Sequence, residues 1–120
     1  DESINEKKDW VLNYLPEGYT LNNHEVLGRI TNIEFINSQG DNIRFSYQPE
    51  DGITNISVDN ENHEINKCEI QNNEAYCILA IDDKFDNGLI WNMEGHTFDL
   101  WSKIPLDELK KIAESISENK

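Results

Sequence analysis

Cys68 and Cys77 are the residues with the sharpest chemistry in this chain. They flank Asn72-Asn73, a pair suited to a tight turn because Asn tolerates the left-handed backbone. A two-residue turn there opposes Ile70 to Ala75 and Cys68 to Cys77. The cysteines then fall at a non-hydrogen-bonded pair, with Cα atoms about 4.5 Å apart, at the short edge of the disulfide range. Three readings follow: a redox-sensitive clasp, a plain structural disulfide permitted outside the cell, or two reduced thiols packed as small hydrophobes. The structural disulfide is the expectation, and so short a loop stabilises by about 2–3 kcal/mol. No second Cys/His pair stands at zinc spacing.

Other polar clusters are less specific. Asp59, Glu61, His63 and Glu64 form one acidic stretch, and Asp82, Asp83 and Asp86 another. Neither carries the full oxygen ladder of a calcium loop, so both read as solvated connections. His24, His63 and His96 are scattered, and His96, beside Glu94-Gly95, reads as a solvent-facing strand residue. No Ser or Cys stands in a nucleophile motif, and the glycines mark turns rather than a phosphate loop. The chain is therefore expected to be no enzyme and to need no cofactor or metal. Trp10, Trp91 and Trp101 could line a groove for a sugar or peptide. Trp91 alternates with the core; Trp101, opposite in parity to Phe98 and Leu100, points to the other face and is the candidate contact residue.

The elements that must position these residues are mostly strands. Residues 1–9 are polar and read as a flexible lead-in left by trimming a longer protein, with one domain over 10–120. Trp10–Leu15 is the first apolar run, Tyr19–Leu21 is extended until Asn22-Asn23, and Gly28–Ile36 reads as a strand. Ile43, Phe45 and Tyr47 alternate with polar residues as in a half-buried strand, and a loop of about three residues opposes Phe35 to Phe45 and Ile33 to Tyr47. Ile56 and Val58 continue the pattern. A turn at Glu94-Gly95 opposes Trp91 to Phe98, Leu89 to Leu100 and, on the wet face, Asn92 to Thr97. From Leu106 the period lengthens: Leu106, Leu109, Ile112, Ala113 and Ile116 form one face of a helix, with Pro105 in its first turn. The expectation is an α+β domain: a curved antiparallel sheet of about six to eight strands, built from meander hairpins, with a C-terminal amphipathic helix on one face.

Composition narrows the partners. The 120 residues carry 24 Asp+Glu against 10 Lys+Arg, a net charge of −14. That balance argues against nucleic acid, which needs basic side chains to displace counterions, and against an anionic membrane surface. No apolar run reaches the roughly 20 residues of a spanning helix, so no direct membrane insertion by this domain is expected.

Four segments, in order, carry a resemblance. Tyr14-Leu15-Pro16-Glu17-Gly18-Tyr19, Val58-Asp59-Asn60-Glu61, the stretch Leu89–Phe98, and Leu109–Ile116 together resemble the bacterial extracytoplasmic domain of unknown function 4367. The resemblance implies a domain outside the membrane of a Gram-positive bacterium, anchored by a transmembrane helix outside this chain, as in anti-sigma regulators. It supplies no catalytic residues. Pro105 and the cysteine pair depart from the family pattern. The functional expectation is a non-catalytic extracytoplasmic sensing or protein-interaction domain of a membrane-anchored regulator. The alternative is a carrier module holding a lipid or other apolar ligand between sheet and helix.

Overall fold

The structure is a computed structural model that describes residues 8–50 and 61–119. Among the described residues nine strands and one helix follow in order: β1 (Trp10–Leu12), β2 (Thr20–Leu27), β3 (Ile30–Ile36), β4 (Asn42–Pro49), β5 (His63–Ile70), β6 (Asn73–Ala80), β7 (Asn87–Met93), β8 (His96–Ser102), α1 (Leu106–Glu114) and β9 (Ile116–Glu118). Seven strands form one open antiparallel sheet in the order β2-β3-β4-β8-β7-β6-β5, and β1 pairs with β9 in a small sheet of two. The expected α+β architecture is therefore present. The expected strand at Ile56 and Val58 lies outside the described residues. No helix among those described is long and apolar enough to cross a membrane.

Strand alternation sorts the side chains onto two faces of the large sheet. Ile43, Phe45 and Tyr47 of β4, Phe98 and Leu100 of β8, Leu89 and Trp91 of β7, and Ala75 and Cys77 of β6 point inward and are buried. The helix lies on this face against β5, β7 and β8 and buries Leu109, Ile112 and Ala113 completely. Its start lacks a side-chain cap: Pro105 is the cap residue rather than a first-turn residue, and its carbonyl accepts from Glu108 and Leu109 N–H at 3.0 and 3.1 Å. Asp107 and Glu108 face the positive end of the helix dipole.

Three differences from the periodicity reading have local causes. The helix stops at Glu114, not Ile116. Ser115 Oγ donates to Ile112 O at 2.6 Å and accepts from the N–H groups of Asn13 and Tyr14, which turns the chain into β9 alongside β1. In the β5–β6 hairpin the turn residues are Gln71 and Asn72, both at positive φ (49° and 67°), as a two-residue type I′ turn requires. The pairing thus shifts by two residues and sets Cys68 opposite Ala75. Gln71 is fixed there by the helix end, because its Nε2 donates to Ala113 O and Ile116 O at 3.0 and 2.9 Å. Between β3 and β4, Asn37 joins the loop by accepting from Gln39 and Asp41 N–H through its side-chain oxygen. That five-residue loop, 37–41, opposes Ile33 to Phe45 and Phe35 to Ile43. The Glu94-Gly95 hairpin has the expected register throughout, and Thr97 Oγ1 donates to Asn92 Oδ1 at 2.7 Å.

Candidate functional site

The helix covers the inner sheet face over β5, β7 and β8; on β4 Ile43, Phe45 and Tyr47 are also buried, whereas β3 is only partly covered and β2 is exposed along its length. β2 does not end at Asn22-Asn23; a bulge between Leu21 and Asn23 carries it through to Leu27, and Gly28, at φ 63°, turns it into β3. Because of the bulge, Leu21 before it and His24 and Val26 after it share the inner face with Phe35, Ile33 and Thr31. Leu21 and Val26 remain 58% and 56% exposed, although they continue the face that is sealed under the helix. Together with Trp10, Val11 and Leu12 of β1 they wall a groove of about 500 Å³. Its floor is Ile33, Phe35, Phe45 and Tyr47, and the Tyr47 hydroxyl donates to Asp9 Oδ1 at 3.1 Å. The β1 wall is anchored: Asn119 N–H donates to Asp9 O at 2.8 Å, and Trp10 meets Phe98 edge-on with centroids 5.2 Å apart. Trp10 Nε1–H is buried and has no acceptor among the described residues.

The outer face carries a second, polar cleft of about 440 Å³. Arg44 stands opposite Trp101 and Ser46 opposite Asp99 across β4 and β8, with Glu34 and Asn32 in the next strand. Glu34 accepts from the Asn22 and Asn42 amides, both at 2.9 Å, and the Asn22 and Asn42 bonds hold its carboxyl below the usual range. Arg44 Nη2 pairs with Asp86 at 2.7 Å, and Ser46 Oγ donates to Asn32 Oδ1. Burial pushes the Asp99 carboxyl up to about 6, against the opposing pull of Arg44 and a Ser46 hydrogen bond.

That shift has a consequence for stability. Because the folded carboxyl binds its proton more tightly than the unfolded one, stability falls as pH rises from about 4 to about 6, and the full penalty persists above. The shift corresponds to at most about 3 kcal/mol, and solvent access to a half-buried group reduces it to about 1–2. Asp99→Asn is therefore expected to raise stability by about 1–2 kcal/mol at pH 7 and to flatten the urea midpoint between pH 4 and 6. A variant with an unchanged pH profile would show that Asp99 ionises freely.

The residues singled out by sequence fall at separate places. Cys68 and Cys77 form a disulfide on the inner face, with Cα atoms 6.1 Å apart and bonded diagonally rather than directly across the hairpin. Trp101 is on the outer face, half-buried, in the polar cleft. Trp10 and Trp91 are core. His96 is the clear correction: it is fully buried, not solvent-facing. It shares the parity of Phe98, which already signalled an inward position. Its Nε2 accepts from Lys8 N–H at 3.0 Å and its Nδ1 lies 3.1 Å from Glu94 O, so the Nδ1–H tautomer satisfies both nitrogens. In the acidic stretches, Asp82 accepts from Lys84 N–H, Asp86 pairs with Arg44, and Asp59 lies outside the described residues. The groove residues Leu21, His24 and Val26 were missed because the Asn22-Asn23 pair imitates a strand end.

The family model of a domain of unknown function, DUF4367, matches residues 9–116, from the groove's β1 wall to the start of β9. The chain belongs to the DUF4367 family. Comparison with curated proteins finds no match. The segments that carry the DUF4367 resemblance are structural: Tyr14–Tyr19 leads from β1 into β2, Leu89–Phe98 is the central hairpin, and Leu109–Ile116 runs through the helix into β9.

Proposed function

We propose that this DUF4367 domain is a non-catalytic, extracytoplasmic interaction domain of a membrane-anchored regulator, and that its inner groove receives an extended segment of a protein partner. The observation that carries this reading is the exposed apolar inner side of β2, Leu21 and Val26, on an edge strand among the described residues. β2 pairs only with β3 among the described residues, so its outward backbone groups face solvent along the groove. A strand added there would extend the ladder and set alternate side chains beside Leu21 and Val26. The domain's net charge of −14 favours a partner segment with basic residues on its other face. The disulfide supports an oxidising compartment.

A small apolar ligand is the second reading, favoured by a groove volume within the roughly 300–1,000 Å³ of small-molecule sites. It would lie beside β1, not between sheet and helix, because the helix face is fully packed.

Amide hydrogen exchange tests both. A peptide alternating Val and Lys, eight residues long to match β2, is expected to slow exchange at alternate β2 amides. Leu21→Lys with Val26→Lys should abolish that protection without moving the thermal midpoint, since both side chains are exposed. Unchanged β2 exchange at saturating peptide would overturn the strand-addition reading. A native mass spectrum showing apolar cargo that leaves on denaturation would put the second reading in its place.

A further inference from the structure

We infer that the outer-face cleft around Trp101 is a binding site for an uncharged pyranose saccharide, separate from the inner groove and independent of the reading given for it. Gly88 stands directly across from Trp101 in the β7–β8 pair. A Cβ placed on Gly88 would come within 2.3, 2.4 and 2.8 Å of Trp101 Cζ3, Cε3 and Cη2. The six-membered ring therefore lies down over the bare glycine backbone, one face on the sheet. The side chain is partly exposed and lines the cleft, where a sugar ring could meet it. An aromatic face is electron-rich and attracts the polarised C–H groups of a sugar ring, whose apolar face is of matching width.

The polar surroundings suit the sugar's hydroxyls. Asp99, two residues along β8, lies roughly 7 Å from Trp101 along the strand on the same face. On β4, Arg44 is opposite Trp101 and Ser46 opposite Asp99, and Glu34 and Asn32 follow one strand further. These planar amide, carboxylate and guanidinium groups are already held by bonds to Asn22, Asn42, Asp86 and Ser46. A ligand would thus meet preset acceptors and donors and would freeze few side chains on binding. They also sit on the central strands of the sheet, not on a loop. Glu34 and Asp99 are both carboxylates, and in so acidic a domain they repel uronic or phosphorylated sugars, which restricts the ligand to uncharged pyranosides.

The test uses cellotriose and triacetylchitotriose as uncharged probes and trigalacturonate as the charged one, followed by the three indole N–H signals in two-dimensional NMR. An uncharged probe at up to ~10 mM should shift the Trp101 indole signal and leave those of Trp10 and Trp91 in place. Trp101→Ala should weaken binding at least tenfold. Gly88→Ala, which forces the ring off the sheet while keeping every polar group, should weaken it similarly with the fold intact by amide fingerprint. Three results would each overturn the inference: no shift at Trp101 with either uncharged probe, binding undiminished in Gly88→Ala, or trigalacturonate binding as well as the neutral sugars. Shifts confined to Leu21 and Val26 would do the same, by placing the saccharide in the groove.

Discussion

Phe98→Ala is expected to remove about 3–5 kcal/mol of stability, the largest loss from any single side chain in the molecule. Phe98 is fully buried at the centre of the inner face. It stacks on Trp91 with centroids 5.3 Å apart and planes 13° from parallel, and it receives Trp10 edge-on at 5.2 Å. Phe45, Tyr47 and His96 complete the ring at 6.2–6.3 Å. Truncation therefore forfeits the burial of a phenyl group and several aromatic contacts at once, and the flat rings around it cannot collapse into the space without leaving their own rotamers. A domain of this size has only about 5–15 kcal/mol in total, so the variant should sit close to the unfolding threshold. Urea denaturation followed by tryptophan fluorescence measures the loss, since Trp91 and Trp10 are the immediate neighbours. A loss below about 1.5 kcal/mol would mean that the core is not organised around this residue.

The same hairpin was the most legible part of the sequence, and for the same reason. Trp91, Phe98, Leu89 and Leu100 are large, apolar and strictly alternating, so a one-residue slip would put all four into water. Gly95, at φ 75°, and Glu94, at φ 52°, then fix the turn. The register of the other hairpins was not legible, because what decides it lies far away or in a side chain of the loop. Asn72-Asn73 looks like the better turn locally, but Gln71 is drawn into the turn by two carbonyls more than forty residues later, Ala113 in the last turn of the helix and Ile116 at the start of β9. Asn37 reads as the tail of β3 until its side-chain oxygen is seen to organise the loop.

The candidate sites were legible only in part, again for physical reasons. Parity places Trp101 on the wet face, and the hairpin register that opposes Leu89 to Leu100 also sets Gly88 across from it; what parity and register leave out is the tilt that lays the indole over that glycine. Asp99 alternates with the core, a parity that by itself gives no hint of burial; its raised proton affinity comes from desolvation on the outer face, which no local pattern encodes. The groove exists because the helix is short: nine residues reach across β5, β7 and β8, not across seven strands. Helix length against sheet width is a three-dimensional mismatch, and the bulge at Leu21/Asn23 that brings Leu21 onto the groove face has no periodic signature.

Replacing both cysteines, as Cys68→Ala with Cys77→Ala, is expected to cost about 2–3 kcal/mol and to lower the melting temperature by about 10 °C. The double variant avoids leaving a lone reactive thiol. The effect should be uneven across the sheet. Among the described residues β5 is an edge strand, and of its eight residues only Ile70 is buried, so little apolar burial holds it to β6. The diagonal Cys68–Cys77 bond on the inner face is the covalent part of that attachment. Hydrogen exchange should therefore quicken first at β5 amides, whereas β7 and β8 keep protection close to the global stability. Reductant should shift the wild-type melting temperature by the same amount and leave the double variant unmoved. A mass two hydrogens below the sequence mass, measured on denatured protein purified without reductant, confirms the starting bond. If the double variant melts within a degree or two of wild type, the bond does not stabilise this fold. The hairpin would then be held by its type I′ turn and by Gln71 alone, and the case for a redox-sensitive clasp in this DUF4367 domain would strengthen.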